Sequence, residues 1–566
     1  MPQSVRRIRN IYLSAYMMVF GLAILLPGFF LVFEDSEIWG ITSSRRLIDD
    51  PSVFTSAYFK PLFSLIFGAI VSTAPSSWGA LLISRGVTFG FAAIGLFAIY
   101  SLAIQLLNVG RRASSTLIFF AVLSTMPMLI LHFSKARSDV ISVSIAAVGA
   151  VLLMQFQSDR PIARGLIYIF SALSTLLVTL KSIDLVAVLM IFFWSTSGSL
   201  PLRHRIMWIV GPLTALVSIG LIFSRQFILN SLLYWFDSYE AIHFFSVIPW
   251  ISCIRAVQSA PIVSLFVASG LVTGALQYRK LTRDEKLLVA AGFIVGLFIV
   301  IHSQKYFFFL ASRMPLLALG ALPGFHILAE LIARKVSPQT LLYGLIAALG
   351  ISGAITVLRL QYYEGFNRTY QQAAYEMTES YLDRARPNSY WDAIGLFPTR
   401  NQIFHYPSPG DRINGELLNF VAISQPSLIL RTSKMELLEP QLLLWLQRNY
   451  ISLSSQIYGR FQVIPKTRSC LIDPEQIVKL VESAKFEFPL ALFVRTRTVP
   501  QWIRAGFRSQ HGLEHAELDL KTLRRGKIEL PSCRQDDVEY AIMEAAPWDA
   551  LPAPNFTPFF GYDGML

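Results

Sequence analysis

The pattern of apolar and polar positions changes at about residue 358. Before that point long apolar runs alternate with short charged loops, and after it shorter apolar stretches alternate with polar ones. A transmembrane helix needs roughly 20 apolar residues, so the first part predicts a polytopic α-helical membrane protein with about 11 transmembrane helices. The predicted runs are 11–33, 79–107, 115–131, 138–156, 165–180, 183–197, 206–224, 258–277, 286–301, 306–332 and 340–358.

Clusters of Lys and Arg recur at every second gap between these runs. Cytoplasmic loops are enriched in such residues, and every cluster agrees on one orientation, so we expect a cytoplasmic N-terminus. An odd number of spans then places the C-terminal part outside the cytoplasm. The clusters are Arg6, Arg7 and Arg9; Arg111 and Arg112; Arg160 and Arg164; Arg203 and Arg205; Arg279, Lys280 and Arg283; and Arg334 and Lys335.

The first predicted outer loop, residues 34–78, mixes acidic and apolar stretches. Three carboxylates follow directly on the first apolar run, in the stretch FEDSEIW; they are Glu34, Asp35 and Glu37. Such a cluster is more typical of a solvated helix end than of a catalytic carboxylate at a membrane face, and both interpretations stay open. Further on, Tyr58–Val71 is apolar but contains Pro61 and leads into no basic loop, which predicts a helix lying in the membrane interface.

The C-terminal part, residues 359–566, predicts a small α/β domain, because helical and strand-like patterns alternate in it. Residues 361–385 have the pattern of an amphipathic helix. The predicted strands are Phe420–Thr432 and Phe486–Arg495, and the predicted helices are Met435–Tyr450 and Glu475–Lys485. The domains are therefore 1–358, with interfacial helices in residues 34–78, and 359–566.

Composition supports a membrane protein. Charged residues make up 15% of the chain, and the mean hydropathy is +0.50, whereas a soluble protein carries about 25% charged residues. The net charge of +13 does not indicate nucleic-acid binding, because many basic residues lie in short loops where they act as topology signals, and no nucleic-acid-binding motif is present. Cys470 and Cys533 could pair in an oxidising compartment or stay unpaired.

The predicted topology gathers many charged residues on the outer face. Several of them interrupt apolar sequence, where a charge is costly unless it is paired or functional. Functional residues are therefore expected on that face. The charged residues and histidines expected there are Glu34, Asp35, Glu37, Asp49, Asp50, Lys60, Arg85, Lys135, Arg137, Asp139, Lys181, Asp184, Asp237, Glu240, His243, Arg255, His302, Lys305 and Arg313.

The order of these residues resembles a known family. An acidic pair after the first span, Lys60–Pro61 at the head of an interfacial helix, and Arg85 in the next span resemble the GT-C superfamily of integral-membrane glycosyltransferases. The likeness is strongest to its bacterial aminoarabinose-transferase and protein O-mannosyltransferase-like branch. FSKARSDV with Asp139, LVTLKSID with Lys181, and the segment His302–Pro323 resemble later motifs of the same branch.

The resemblance implies an enzyme of the bacterial inner membrane. It would transfer a sugar, with inversion, from a polyprenyl-phosphate-linked donor to a lipid, glycan or protein acceptor on the outer face, with the C-terminal domain periplasmic. A carboxylate would act as general base. Asp35 is the first candidate, Glu34 and Glu37 stay open as alternatives, and Asp139 is the second carboxylate.

Cations would stabilise the leaving phosphate. The candidates are Lys60, Arg85, Arg137, Lys181, Lys305 and Arg313, with His243 and His302 as further substrate contacts. A divalent cation such as Mg²⁺ or Mn²⁺ would be held by Asp35 and Asp139 if the reaction needs one. Two other functions remain open, namely a transporter or flippase of lipid-linked substrates, and a catalytically inactive scaffold of an envelope assembly.

Overall fold

The protein is described by a computed structural model. Two compact units form: Met1–Phe33 with Gly40–Arg368 and Asp563–Leu566, and Glu34–Trp39 with Thr369–Tyr562. The residues described are 18–30, 33, 35–49, 60–107, 109–156, 161–179, 182–198, 200–223, 247–301, 307–364, 368–385, 390–392, 395–400, 403–404, 416–430, 440–452, 457–460, 462–464, 471–472, 474–484, 490–496, 499–504, 517–518, 528–529 and 538–544.

The described part of residues 18–364 is almost entirely helical. The helices are α1 Met18–Phe30, α2 Asp35–Asp49, α3 Pro61–Thr73, α4 Ser77–Leu106, α5 Val109–Leu123, α6 Pro127–His132, α7 Ser138–Gln155, α8 Pro161–Val178, α9 Ile183–Thr196, α10 Leu202–Phe223, α11 Val247–Ser259, α12 Pro261–Leu276, α13 Arg283–Ile301, α14 Phe307–Ala333 and α15 Pro338–Glu364. The predicted domain boundary at residue 358 falls inside α15, and the boundary between the units follows Arg368.

Several of these helices suit a lipid environment. Among the described residues, four helices are long and apolar enough to cross a membrane, α4, α7, α8 and most of α14, and α11 with α12 would make a fifth as one bent span. Large apolar side chains on them are exposed, such as Phe97 (67%) and Leu265 (65%), a surface that lipid rather than water would cover. The fold is thus that of a helical membrane protein.

Two predicted runs are broken in the structure. The run 115–131 ends as α5 at Leu123, and α6 starts afresh at Pro127. The run 258–277 begins inside α11, and the chain bends by 110° before α12 starts at Pro261. In both cases proline occupies the first helical position, where its missing N–H and fixed φ suit a helix start. Two polar residues precede each break, Ser124 with Thr125 and Gln258 with Ser259, too few to interrupt a run by average hydropathy.

The central helix α14 is packed so closely that side chains would not fit at several crossings. A Cβ built on Gly324 of α14 would meet the carbonyl oxygen of Gly270 on α12. One built on Gly320 would lie 2.4 Å from the Cα of Gly292 on α13. Glycines allow backbones to approach where helices pack in lipid. They hold α14 between α12 and α13.

The described part of the second unit mixes helices and strands. Phe420–Thr432, predicted as one strand, is instead the end of a helix that stops at Ser424, a left-handed residue, Gln425 (φ 40), and a short strand beginning at Leu428. The amphipathic helix predicted over 361–385 is present as Arg368–Ala385. The remaining helices are Glu416–Ser424, Pro440–Asn449 and Pro474–Ala484.

The strands of this unit form three small sheets. In the first, of order β2-β1-β3-β5-β4, β1 runs parallel to β2 and β3, and the other pairs are antiparallel. In the second, of order β10-β8-β12-β6, all pairs are antiparallel, and β9 also pairs with β8. The third pairs β11 with β7. The strands are β1 Tyr390–Asp392, β2 Ile403–Phe404, β3 Leu428–Leu430, β4 Tyr450–Ser452, β5 Ile457–Arg460, β6 Gln462–Ile464, β7 Leu471–Ile472, β8 Leu490–Thr496, β9 Val499–Arg504, β10 Glu517–Leu518, β11 Ile528–Glu529 and β12 Val538–Glu544.

Candidate functional site

The charged residues of the first unit gather at two places along its helices. Asp139 and Asp184 lie in the first turns of α7 and α9, and both contact Arg313 in the first half of α14. We call this place the Asp139 end. Carboxylates in a first turn interact favourably with the positive end of the helix dipole, so both positions suit a charged side chain locally.

Arg313 is the centre of this cluster. Its side chain is fully buried and lies over the ring of Phe309, 4.4 Å from the guanidinium carbon to the ring centroid. Nε donates to Asp184 Oδ2 and one terminal nitrogen to Asp184 Oδ1, both at 3.1 Å. That nitrogen also donates to Ser182 Oγ at 3.2 Å, and the other terminal nitrogen to Ser312 Oγ at 3.0 Å. The latter also lies 3.5 Å from Asp139 Oδ1.

These contacts use every donor that Arg313 has. A guanidinium carries five N–H groups, and the five contacts match them one to one. Arg313 therefore has no N–H left for a phosphate while this network is closed. Its predicted role as a phosphate ligand stays a prediction, and it requires the network to open.

The two carboxylates are held differently. Asp184 accepts from Arg313 with both oxygens, and none of its side chain is exposed. Asp139 makes one longer contact through Oδ1 and keeps 9% of its side chain exposed. Its second oxygen, Oδ2, makes no hydrogen bond to any described residue. Asp139 is thus a fixed carboxylate with one oxygen available to a ligand.

The turn before α7 adds two buried cations. Lys135 and Arg137 are 3% and 7% exposed, although both side chains are long and charged. Arg137 has extended backbone angles at the N-terminal cap of α7, two residues before Asp139. Buried charges are costly unless they are paired or hydrogen-bonded, so both side chains depend on the contacts that surround them. Arg137 was predicted to bind phosphate; its position beside Asp139 is compatible with that prediction.

Arg85, another predicted phosphate ligand, is enclosed by the chain. Its side chain is fully buried. It donates to the carbonyl oxygen of Phe29 in the last turn of α1 at 3.3 Å, and its guanidinium carbon lies 3.8 Å from the centroid of Phe33. Phe33 in turn packs edge-on against Trp78. Arg85 thus holds the end of α1, immediately before the acidic stretch, and its prediction as a phosphate ligand remains open.

Of the remaining predicted site residues, the structure describes some and not others. Lys60 precedes α3 and lies 5.7 Å from the ring of Phe63, and Glu37 is fully buried in α2. Asp35 begins α2, and its side chain is not described. The remaining predicted residues lie outside the described part of the chain; they are Glu34, Lys181, His243, His302 and Lys305.

Three arginines in the first turns of α8, α10 and α13 converge at the other end of α9. Arg164 donates to the carbonyl oxygens of Phe156 and Thr196, which close α7 and α9. Arg205 donates to Leu200 at 2.9 Å, and Arg283 to Ser195. Asp184 and Thr196 are twelve residues apart, so the two ends are separated by about 18 Å along α9. We call this place the Arg283 end.

The two ends agree with the grouping that the sequence predicted. Asp139, Asp184 and Arg313 were expected on one face, and the structure brings them together. The three arginines of the Arg283 end were expected on the opposite face, and they also meet. Which end faces the cytoplasm stays a prediction.

A divalent cation does not fit the two carboxylates that meet here. Asp184 is fully engaged by Arg313, and the guanidinium lies beside the bound oxygen of Asp139. A metal ion would have to displace or sit next to that positive charge. Among the described residues no group of three or more His, Cys, Asp and Glu side chains is arranged to hold a metal. The Asp35–Asp139 pair is untested, because the side chain of Asp35 is not described.

Three residues of this site had no role assigned from the sequence, although each contacts Arg313; they are Asp184, Ser182 and Ser312. Asp184 was expected on the same face as Asp139 and Arg313, but without an assigned partner. The signal was present in KSID, where a carboxylate opens an apolar helix. Such a charge needs a counter-ion from another helix.

Comparison with known proteins finds no matching family model and no matching curated protein.

Proposed function

We propose that the protein is an integral-membrane glycosyltransferase that moves a sugar from a polyprenyl-phosphate-linked donor to an acceptor hydroxyl at the Asp139 end of the helices. In this proposal the chain crosses the bacterial inner membrane about 11 times. The Asp139 end and an α/β C-terminal domain face the periplasm. The acceptor is a lipid, glycan or protein.

One observation carries the proposal. Asp139 is a buried carboxylate that Arg313 fixes through Oδ1, while Oδ2 has no partner among the described residues. An acceptor hydroxyl is a poor nucleophile until a base removes its proton, and a positioned carboxylate is such a base. Asp139 Oδ2 would take this proton while the hydroxyl oxygen attacks the anomeric carbon. The bond from that carbon to the donor phosphate oxygen breaks, and the configuration inverts.

The departing polyprenyl phosphate gains negative charge as this bond breaks. Cations that are already in place stabilise such charge without reorganising. Arg137 and Lys135 lie on the turn that leads into Asp139, at the N-terminus of α7, and helix N-termini also favour anions. These two residues would receive the leaving phosphate.

The position of the charges favours this function over transport. Transporters place substrate and ion sites near the middle of the bilayer. Here Asp139 and Asp184 lie in the first turns of their helices, which puts them at one end of the spans. An inactive scaffold would have no need to leave Asp139 Oδ2 open.

The test is transfer by the purified full-length protein in lipid nanodiscs, with polyprenyl-phosphate sugars as donors and membrane extracts as the acceptor pool. Mass spectrometry would follow the released polyprenyl phosphate and the glycosylated product. Asp139→Asn keeps the shape but cannot accept the proton, so transfer should fall about 10²- to 10⁴-fold. Asp35→Asn in parallel decides between the two carboxylates. Full transfer by Asp139→Asn, or no consumption of any donor by the wild type, would refute the proposal.

A further inference from the structure

The Asp139 end contains one more carboxylate than general-base chemistry needs. Asp184 is fully buried, and both of its oxygens accept from Arg313 at 3.1 Å. It has no exposed atom with which to touch a substrate. Paired, fork-like contacts of this kind fix the plane of the guanidinium as well as its position. The orientation of Arg313 is therefore set from the side of α9.

The contact of Arg313 with Asp139 is of a different kind. It is a single contact at 3.5 Å, made by the terminal nitrogen that also donates to Ser312 at 3.0 Å. Because this nitrogen belongs to the same rigid plane that Asp184 fixes, a rotation of the guanidinium would move it relative to Asp139. The position of Asp139 Oδ1, and with it the direction of Oδ2, thus depends on Asp184 through Arg313.

We infer that Asp184 is a positioning residue, which orients Arg313 and thereby aims Asp139 Oδ2 at the acceptor hydroxyl. This inference rests on the proposed glycosyl transfer and deepens it. Three helices take part, because α9 supplies Asp184, α14 supplies Arg313 and α7 supplies Asp139. Ser182, which donates nothing to Asp139 but accepts from Arg313 at 3.2 Å, supports the same orientation.

Kinetics of Asp184→Asn test the inference. Asn has the shape of Asp, but its amide nitrogen faces a donor of Arg313 and turns the guanidinium away. A misplacement of about 1 Å costs on the order of 100-fold in rate, so kcat should fall about 10- to 100-fold while the donor KM stays within about twofold. The matched control is Glu285→Gln, a buried carboxylate that accepts from the Thr282 backbone N–H far from this site. Its kcat should stay within about twofold of the wild type.

A role through Arg313 predicts that the effects do not add. In an Arg313→Gln background, Asp184→Asn should lower kcat less than twofold further, because the residue it orients is gone. If Arg313→Gln does not fold, Arg313→Lys serves as the background, because lysine keeps the charge but cannot make the paired contact with both oxygens of Asp184. Additive losses, or an unchanged kcat in Asp184→Asn, would overturn the inference. A loss of kcat equal to that of Glu285→Gln would overturn it too.

Thermal unfolding separates this inference from the proposed function. If wild-type protein consumes no donor, glycosyl transfer is refuted, and the network is then measured by the melting temperature in detergent. Asp139→Asn should shift the Tm of the wild type, and the same substitution in an Asp184→Asn background should shift the Tm by no more than half as much, because Arg313 is then already misplaced. An undiminished shift would show that Asp184 does not position Asp139 through Arg313.

Discussion

Replacing Arg313 by methionine isolates the energy of the central ion network. Methionine fills part of the volume without charge, and Asp184 is left buried with no counter-ion and none of its side chain exposed. Removing one partner of a buried ion pair costs about 3–5 kcal/mol, because the other charge stays uncompensated. We expect the free energy of unfolding to drop by about that amount. Asp139 adds less, since its only contact with Arg313 is a single one at 3.5 Å.

Removing both charges should recover most of that loss. Replacing a whole buried pair by apolar residues is often neutral, so Arg313→Met with Asp184→Leu should be clearly more stable than Arg313→Met alone. The assay is denaturant unfolding in mild detergent, followed by tryptophan fluorescence. Arg203→Met, at an exposed arginine, is the control and should change stability by less than about 0.5 kcal/mol. A loss below about 1 kcal/mol for Arg313→Met, or a double variant as unstable as the sum of the singles, would refute the reasoning.

Three further predictions address packing, helix ends and topology. Gly324→Ala places a Cβ against the carbonyl of Gly270 and should lower the free energy of unfolding by about 1–3 kcal/mol. The control Gly344→Ala adds a Cβ with nothing within 4 Å and should cost nothing, so equal effects of the two variants would contradict the α12–α14 packing. Arg164→Lys cannot reach both of its carbonyl acceptors and should lower the Tm, while Arg203→Lys should not. A cysteine at Lys280 should react with impermeant maleimide only from the cytoplasm, and labelling from outside would reverse the predicted orientation.

The helix ends were the most predictable part of the fold. The run 138–156 corresponds to Ser138–Gln155, and 286–301 to Arg283–Ile301, because charged residues bound each apolar run on both sides. The helix Arg283–Ile301 begins almost one turn before the predicted run 286–301, and this earlier start has a local cause. Thr282 and Glu285 form a reciprocal cap, in which each backbone N–H donates to the side chain of the other.

Breaks inside apolar runs were less predictable. Hydropathy averaged over a run does not register a few polar residues. The bend of 110° before α12 directly follows two of them, Gln258 and Ser259. Pro261, at the start of that helix, was the available signal, because the residue before proline is disfavoured in helical geometry. The same holds for Pro127, but Pro212, Pro315 and Pro323 lie inside continuous helices, so a proline alone does not mark a break.

That Asp139, Asp184 and Arg313 lie together could be predicted, but the partner of each charge could not. A cation in apolar sequence near a membrane surface must find a negative or polar partner, and a substrate phosphate is only one of the available partners. Arg313 takes Asp184, which is 129 residues away in the chain. Arg85 takes the carbonyl of Phe29 and the face of Phe33. No local pattern distinguishes these partners from a ligand.

These pairings change where a phosphate would bind. If the arginines buried deepest are occupied by the chain itself, they serve to place the groups that react. In the proposed function Lys135 and Arg137, on the turn that leads into α7, would meet the donor phosphate. A substitution at Arg137 should lower kcat and also weaken donor binding, because it removes a charge that would meet both the bound and the departing phosphate. A substitution at Asp184 should lower kcat and leave donor binding intact, so the donor KM of the two variants separates phosphate recognition from positioning.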